Sequence, residues 1–394
     1  MRFSERTNWN TEESELARAH RLRVQAGLPV ADLTASNPTR CGFTYSASLL
    51  AALADPRALD YDAQPRGLLD ARRAVCRYYA EHGVELDPDQ IVLTTSTSEA
   101  YSFLFRLLSD TGSEILAPQP GYPLFDFLAT LDDVRIRPAS LVYHDAWQID
   151  PEGIRRAITP ATRAIVVVHP NNPTGHFTKA WEAEELARIC REQRLSLIVD
   201  EVFLDYGEQG SLPAQSFAAG LAGVAVFVVS GLSKIAGLPQ MKAAWIVATG
   251  PEKVQALDRL EVIADTFLSM NAPVQRALPE WLAGRGEIQE QIRQRVNANL
   301  AELDRQLAAA PTVQRLAMEG GWYAVLRIPA LDPDEQTVIT LLDRGVWVHP
   351  GYFFGLPPKG WLVVSLLGPE PEFRTGTGIL MNFFRTEHGS DSAS

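Results

Sequence analysis

The sequence predicts an α/β protein built on a buried, mainly parallel sheet. Three observations carry that expectation. First, the runs "QIVLTT" (90–95), "EILAPQ" (114–119), "RAIVVVHP" (163–170), "LSLIVDEVF" (195–203), "GVAVFVVS" (223–230) and "AAWIVAT" (243–249) are rich in Val, Ile and Leu and do not alternate with polar residues. Such runs are strands buried on both faces. Second, helical patterns such as "SEAYSFLFRLLSD" (98–110) and "KAWEAEELARICREQ" (179–193) separate them, the spacing of parallel crossover units. Third, 394 residues exceed one average domain, so one large domain with a smaller one is the prior.

The flanks fill in the rest. "TEESELARAHRLRVQAG" (11–27) reads as a helix with a threonine cap, an acidic first turn, a basic last turn and a glycine stop. "LPVADLTASNPTRCGFTY" (28–45) reads as a short strand and an irregular loop. The stretch 273–310 reads as one or two long helices. They lead to a C-terminal α+β part with strands at "GGWYAVLRI" (320–328), "GVWVHPG" (345–351) and "WLVVSLL" (361–367). The tail "TEHGSDSAS" (386–394) is polar and expected to be disordered.

Composition narrows the function classes. A net charge of −12 argues against nucleic acid as a partner. Cys41, Cys76 and Cys190 are odd in number and lack a CxxC pair, so they read as reduced thiols and not as a disulfide frame or zinc site. No apolar leader opens the chain and no run approaches about 18 apolar residues. The expectation is a soluble cytoplasmic protein without membrane contact or metal.

In open α/β sheets ligands sit at the carboxyl ends of the strands, so the polar residues there are the ones to read. "SGLSK" places Lys234 after a buried strand, where desolvation depresses an ammonium and suits it to Schiff-base chemistry. Lys242 follows eight residues later. Asp200 ends another strand and would serve as counter-ion to a pyridine nitrogen or simply cap a helix. "HPNNPTG" supplies Asn172 in a turn, and "LTTSTSEA" opens a helix with Ser96, Thr97 and Ser98, an N-cap that also makes a phosphate cradle. Ser230 and Ser233 offer further donors, and Tyr122 in "PQPGYPLF" could stack on a flat heterocycle.

Taken in order, these residues resemble the pyridoxal-phosphate aminotransferases of fold type I, class I/II, over about residues 30 to 366. The resemblance implies a seven-stranded, mainly parallel sheet flanked by helices in a large domain over 46–282. A smaller α+β domain would come from 1–45 and 283–394. It further implies pyridoxal 5'-phosphate as cofactor, Schiff-based on Lys234, which then shuttles a proton. Asp200 would keep the pyridine protonated, Asn172 would donate to the ring oxygen and Tyr122 would stack, with Phe125 the fallback. Ser96, Thr97, Ser98, Ser230, Ser233 and Lys242 would hold the phosphate. Tyr61, in "YDAQPRG", would reach the phosphate of a partner subunit, making the active unit a homodimer, although its gap to Gly67 is one residue longer than usual. The partners are a small-molecule amino donor and an oxo acceptor.

Three positions depart from the family pattern. Phe203 stands where a tyrosine is usual, Lys242 replaces an arginine, and Val363 aligns with the arginine that binds the substrate carboxylate. The expectation is therefore an aminotransferase with an unusual pocket, in which Arg40 and Asn37 meet the substrate. A lyase or decarboxylase on the same scaffold is the alternative, and a non-catalytic regulator domain is a third reading, disfavoured by the retained Lys234.

Overall fold

The computed structural model describes residues 1–207 and 215–387. Its main sheet has eight strands. They are β1 Ile91–Thr94, β2 Glu114–Gln119, β3 Arg135–His144, β4 Ala146–Ile149, β5 Thr162–Val168, β6 Ser196–Asp200, β7 Val226–Gly231 and β8 Ala244–Thr249. Across the sheet they run β1-β8-β7-β6-β5-β2-β3-β4. The central pairs β7·β6, β6·β5, β5·β2 and β2·β3 are parallel, whereas β8 runs antiparallel to both of its neighbours. The sheet thus has one strand more than the seven expected. The addition is β4, which folds back antiparallel on β3 at one edge.

Side-chain parity divides this sheet between two cores. Leu93, Leu116, Ile165, Val167, Leu197, Val199, Val226 and Val228 face one cluster. The alternate residues Val92, Ile115, Ala164, Val166, Ile198, Phe227 and Val229 face the other. Helices cover both sides, so the middle of each central strand is apolar on both faces and the runs look continuous in sequence. α2 (Leu69–Glu81), α5 (Pro151–Ala157) and α6 (Ala180–Gln193) lie on the first side. α3 (Thr97–Leu108) and α4 (Phe125–Leu131) lie on the second. Each fully buried Val, Leu or Ile contributes about 1.5–3 kcal/mol.

The N-terminal helix α1 spans Glu15–Gln25 and is capped by Ser14, whose hydroxyl accepts from Ala17 N–H (3.1 Å), not by Thr11. The cap moves because Glu13 is drawn back to Arg21 (2.7 and 2.8 Å), leaving Glu12 and Glu13 outside the first turn. The stretch 273–310 is two helices, Ala272–Ala283 and Gly286–Leu307, broken at Gly284. A second, antiparallel sheet of four strands is built from β9 Gln314–Arg315, β10 Tyr323–Arg327, β11 His349–Pro350 and β12 Trp361–Ser365, in the order β9-β10-β12-β11. Its own core includes Trp322, Val325 and Val363. Ala31–Asp32 pairs with Val346–Trp347 and ties the N-terminal strand to this part. No helix among the described residues is long and apolar enough to cross a membrane. Most of the polar tail, from residue 388 on, lies outside the described residues.

Candidate active site

Strands β1, β2, β5, β6 and β7 all end at one edge of the main sheet, and β8, running the other way, starts there. Lys242 is two residues ahead of β8, so it returns to the edge that Lys234 leaves. Lys234 sits in the single turn Leu232–Ile235 after β7. Leu232 and Ile235 are buried, and Tyr206 Oη donates to the Lys234 carbonyl (2.7 Å), so the backbone is fixed while the amine stays free. The amine lies over the rings of Trp322 (5.0 Å) and Phe203 (5.6 Å). Its side chain keeps a path to solvent, yet the enclosure is deep enough that desolvation pulls the ammonium down to about 8, against the attraction of Asp200.

Asp200, at the end of β6, is buried and accepts from Tyr101 Oη (3.0 Å) and Val202 N–H (3.0 Å). Burial pushes its carboxyl up to about 6, although those donors and the Lys234 charge favour the ionised form. Tyr122 is half-buried beside it. Its phenol is raised by burial and by Asp200, and its ring stands edge-on to Phe125 at 5.7 Å. Phe125 is the layer behind, buried against Tyr101, and Tyr122 is the more exposed of the two rings.

The polar atoms buried with no partner at this edge include Asn172 Oδ1 and Ser230 Oγ. An orphaned buried group costs about 1–3 kcal/mol, which a polar ligand would offset. At the start of α3, Ser96 is committed to the cap, its hydroxyl accepting from Glu99 N–H (3.1 Å). Glu99 in turn accepts from Thr95 N–H (2.7 Å) and Thr95 Oγ1 (3.0 Å). Thr97 and Ser98 make no side-chain hydrogen bond among the described residues and flank the open first turn. An amine, a facing carboxylate, an aromatic and a helix start with free donors together fit pyridoxal phosphate.

Not every expected residue converges. Lys242 is exposed, with φ 51°. Tyr61 is 85% exposed. Arg40 is exposed at the end of the turn Pro38–Arg40, and the Asn37 side chain is taken up in capping that turn, accepting from Thr39 N–H (3.1 Å) and Thr39 Oγ1 (2.9 Å). Ser233 is half-buried. Val363 is fully buried in β12, opposite Val325 and His349. The three cysteines are unbridged.

A family model, aminotransferase class I and II, matches residues 49–375. The chain is a class I/II aminotransferase. The alanine aminotransferase of Mycobacterium tuberculosis is 28% identical over 382 residues, covering 92% of this chain and 88% of that protein. The glutamate–pyruvate aminotransferase of Escherichia coli K12 is 29% identical over 364 residues, covering 89% of each. Among solved structures, an alanine aminotransferase from Pyrococcus furiosus superposes with a TM-score of 0.89 at 24% identity, over 98% of this chain and all of that one. The protein is thus a pyridoxal-phosphate-dependent enzyme of fold type I. The aminotransferase has further residues at its site that the sequence reading did not single out. They are Tyr101, which orients Asp200, and Trp322 and Tyr206, which enclose Lys234. Tyr101 lies one turn into a helix already marked as the phosphate cradle, and that spacing was the available signal.

Proposed function

We propose that the Lys234 amine is the proton carrier of the transamination, with Asp200, Asn172, Tyr122 and the start of α3 holding the cofactor around it. The observation that supports this most is the meeting of a desolvated amine and a buried carboxylate at one sheet edge. Bound pyridoxal phosphate supplies an electron sink for the bond cleaved at the amino-bearing carbon. With its ammonium pulled down to about 8, Lys234 is partly free base near neutral pH, so it takes a proton from that carbon and returns one. Asp200, ionised, would hold a proton on the ring nitrogen. Tyr122 would stack on the ring and Asn172 would donate to its oxygen. Thr97, Ser98, Ser230, Ser233 and Lys242 take the phosphate, and Ser96 fixes the helix start beneath it.

Tyr61, exposed on its own subunit, serves the site of a second copy, which makes the working unit a homodimer in the cytoplasm. The division into 46–282 and 1–45 with 283–394 belongs to the same reading. Val363 removes the carboxylate-binding cation, leaving Arg40, beside Asn37, as the nearest candidate. The substrate is therefore an amine, a modified amino acid, or an amino acid whose carboxylate meets Arg40. A lyase or decarboxylase is the second reading, favoured by the same valine.

The test is to mix the enzyme with a panel of amines and amino acids while following the cofactor absorbance. Transamination leaves the cofactor in its amine form, whereas a lyase returns the starting spectrum and releases a fragment. Borohydride should fix the cofactor to Lys234, and an adduct on Lys242 or on no lysine overturns the assignment.

A further inference from the structure

The turn that carries Asn172 is anchored to a buried charge cluster that the proposed reaction does not use. Asn171 N–H donates to the His176 carbonyl (2.8 Å) and Gly175 N–H to the Asn171 carbonyl (2.7 Å). The Asn171 amide donates to the Pro120 carbonyl (3.0 Å) and to Thr174 Oγ1 (2.9 Å). Gly175 has φ +71°, and a Cβ there would fall 2.5 Å from the Gly320 carbonyl oxygen, so the turn presses closely on that segment.

His176 follows, 2% exposed, with Nε2 3.0 Å from Glu182 Oε2 and Nδ1 3.5 Å from Glu319 Oε2. Glu182, in the first turn of α6, is itself fully buried and accepts from Ile149 N–H (2.7 Å) and Lys179 N–H (2.6 Å). Glu319 accepts from Phe177 N–H (2.9 Å), pairs with the Lys179 amine, and donates its own N–H to the Gly175 carbonyl (3.1 Å). A neutral ring carries one N–H and can face only one carboxylate with it, so serving both Glu182 and Glu319 needs a protonated ring. The groups facing the imidazole are Glu182 from α6, Glu319 from the segment before β10, Lys179 from the loop, and His169 at the end of β5. Burial holds His169 neutral, at about 3. Without a proton on His176, two carboxylates would share one cation. Burial alone would drive the His176 pKa down, but the two carboxylates outweigh it and raise it. Glu319 lies three residues before Trp322, whose ring covers the Lys234 amine.

We propose that His176, as an imidazolium between Glu182 and Glu319, is a positioning residue that locks the Asn172 turn to the segment leading into Trp322. The wall facing the cofactor and the wall covering Lys234 are then set together. This rests on the reading of Asn172 as facing the cofactor. Because the folded pKa is raised, the lock is fully present below the ordinary value of 6.5 and is lost as pH rises through the higher folded value.

The experiment compares wild type, His176→Gln, Glu319→Gln and Asn172→Ala between about pH 5.5 and 9. It reads the thermal midpoint of cofactor-free protein and the dissociation constant of pyridoxal phosphate by tryptophan fluorescence. Asp200 and Glu201 lose stabilising protons over the same range in every variant. The His176 share is the extra loss of thermal midpoint that wild type shows above pH 6.5 relative to His176→Gln, with affinity falling in parallel by roughly tenfold more, an ordinary size for coupling between sites. His176→Gln should remove that share of both losses and bind about tenfold more weakly at the low-pH end. Glu319→Gln, which keeps the histidine, should shrink both losses and serves if His176→Gln does not fold. A loss of midpoint as large in His176→Gln as in wild type overturns the proposal. So does a change in midpoint with affinity held within about twofold, since His176 would then be a structural contact alone. Asn172→Ala should weaken affinity at every pH and keep the His176 share of the midpoint loss. Unchanged affinity there overturns the placement of Asn172, and with it the cofactor end of the proposal, while that share reports the ion pair separately.

Discussion

Two walls meet at Lys234, and they are furnished differently. The main-sheet wall is polar: Asp200 with its Tyr101 donor, the unpaired Asn172 and Ser230 oxygens, and the open start of α3. The small-sheet wall carries no charged side chain at the corresponding positions. There Tyr323, Ser365, Val325, Val363 and His349 share one face of the sheet by register, and Val363 is fully buried among them. Burial holds the one titratable base on that face, His349, neutral with its pKa down at about 4. The contrast teaches where a chain of this fold is constrained. Residues at the ends of parallel strands are aimed together by one register, whereas a residue on the small sheet changes its identity alone.

The contrast breaks hardest at Lys234. Lys234→Met should lower the half-reaction rate constant by roughly 10²–10⁴-fold or more. It should also raise the thermal midpoint of the cofactor-free protein, because an apolar side chain replaces a desolvated ammonium against Phe203 and Trp322. A variant that is inactive but no more stable would show that the amine is well solvated. On the other wall, common donors such as alanine, glutamate and aspartate should react hundreds-fold more weakly than with a paired arginine, since losing one partner of a buried ion pair costs about 3–5 kcal/mol. Val363→Arg should recover much of that in kcat/KM, and Arg40→Ala should raise KM by about fivefold, the scale of an exposed ion pair. Ordinary efficiency in wild type together with no effect of Arg40→Ala would end this reading of the pocket.

Two smaller effects sharpen the picture. Tyr101→Phe removes a donor to a charged acceptor worth about 1.5–3 kcal/mol. The Asp200 pKa should rise above about 6, and cofactor affinity should drop by roughly ten- to a hundredfold, measured by absorbance titration. Raised carboxyl pKa values also set the stability profile. Asp200 at about 6 and Glu201 at about 7 both bind protons more tightly folded than unfolded. Their contribution is therefore full below about pH 4 and is lost as pH climbs through 6 and 7, which the urea midpoint of the cofactor-free protein will show. The smallest effect is at Phe203. Phe203→Tyr should lower the pH at which the bound cofactor's visible absorbance titrates, each unit being about 1.4 kcal/mol.

The central strands were legible because both faces of the sheet are covered, which makes β5, β6, β7 and β8 unbroken apolar runs. β3 was not, because it lies near an edge, is largely half-exposed or exposed, and carries Arg135, Arg137 and His144. β4 is four residues long and leaves no pattern to count. At the site, residues at strand ends could be read from position alone, and the fold brings Lys234, Asp200, Asn172 and Tyr122 to one edge. Trp322 and Tyr206 were out of reach. They meet Lys234 only through packing between the two sheets, and nothing local to "GGWYAVLRI" announces that its tryptophan covers an amine. His176 was hidden for the same reason, since its partners are six residues and more than a hundred residues away.

The alternation along β6 has an evolutionary consequence. Leu197 and Val199 belong to one core and Ile198 to the other, which puts Asp200 on the side of Tyr101. Insertion or deletion of a single residue within this strand would turn Asp200 away from Tyr101 and exchange the apolar residues between the cores. Such a length change is therefore barred twice, once by chemistry and once by packing, whereas a valine for an arginine in β12 changes the substrate pocket and leaves the register of the strand intact. Descendants of this chain are free to explore new substrates by point substitution on the small sheet, while the spacing of β6 passes down unaltered.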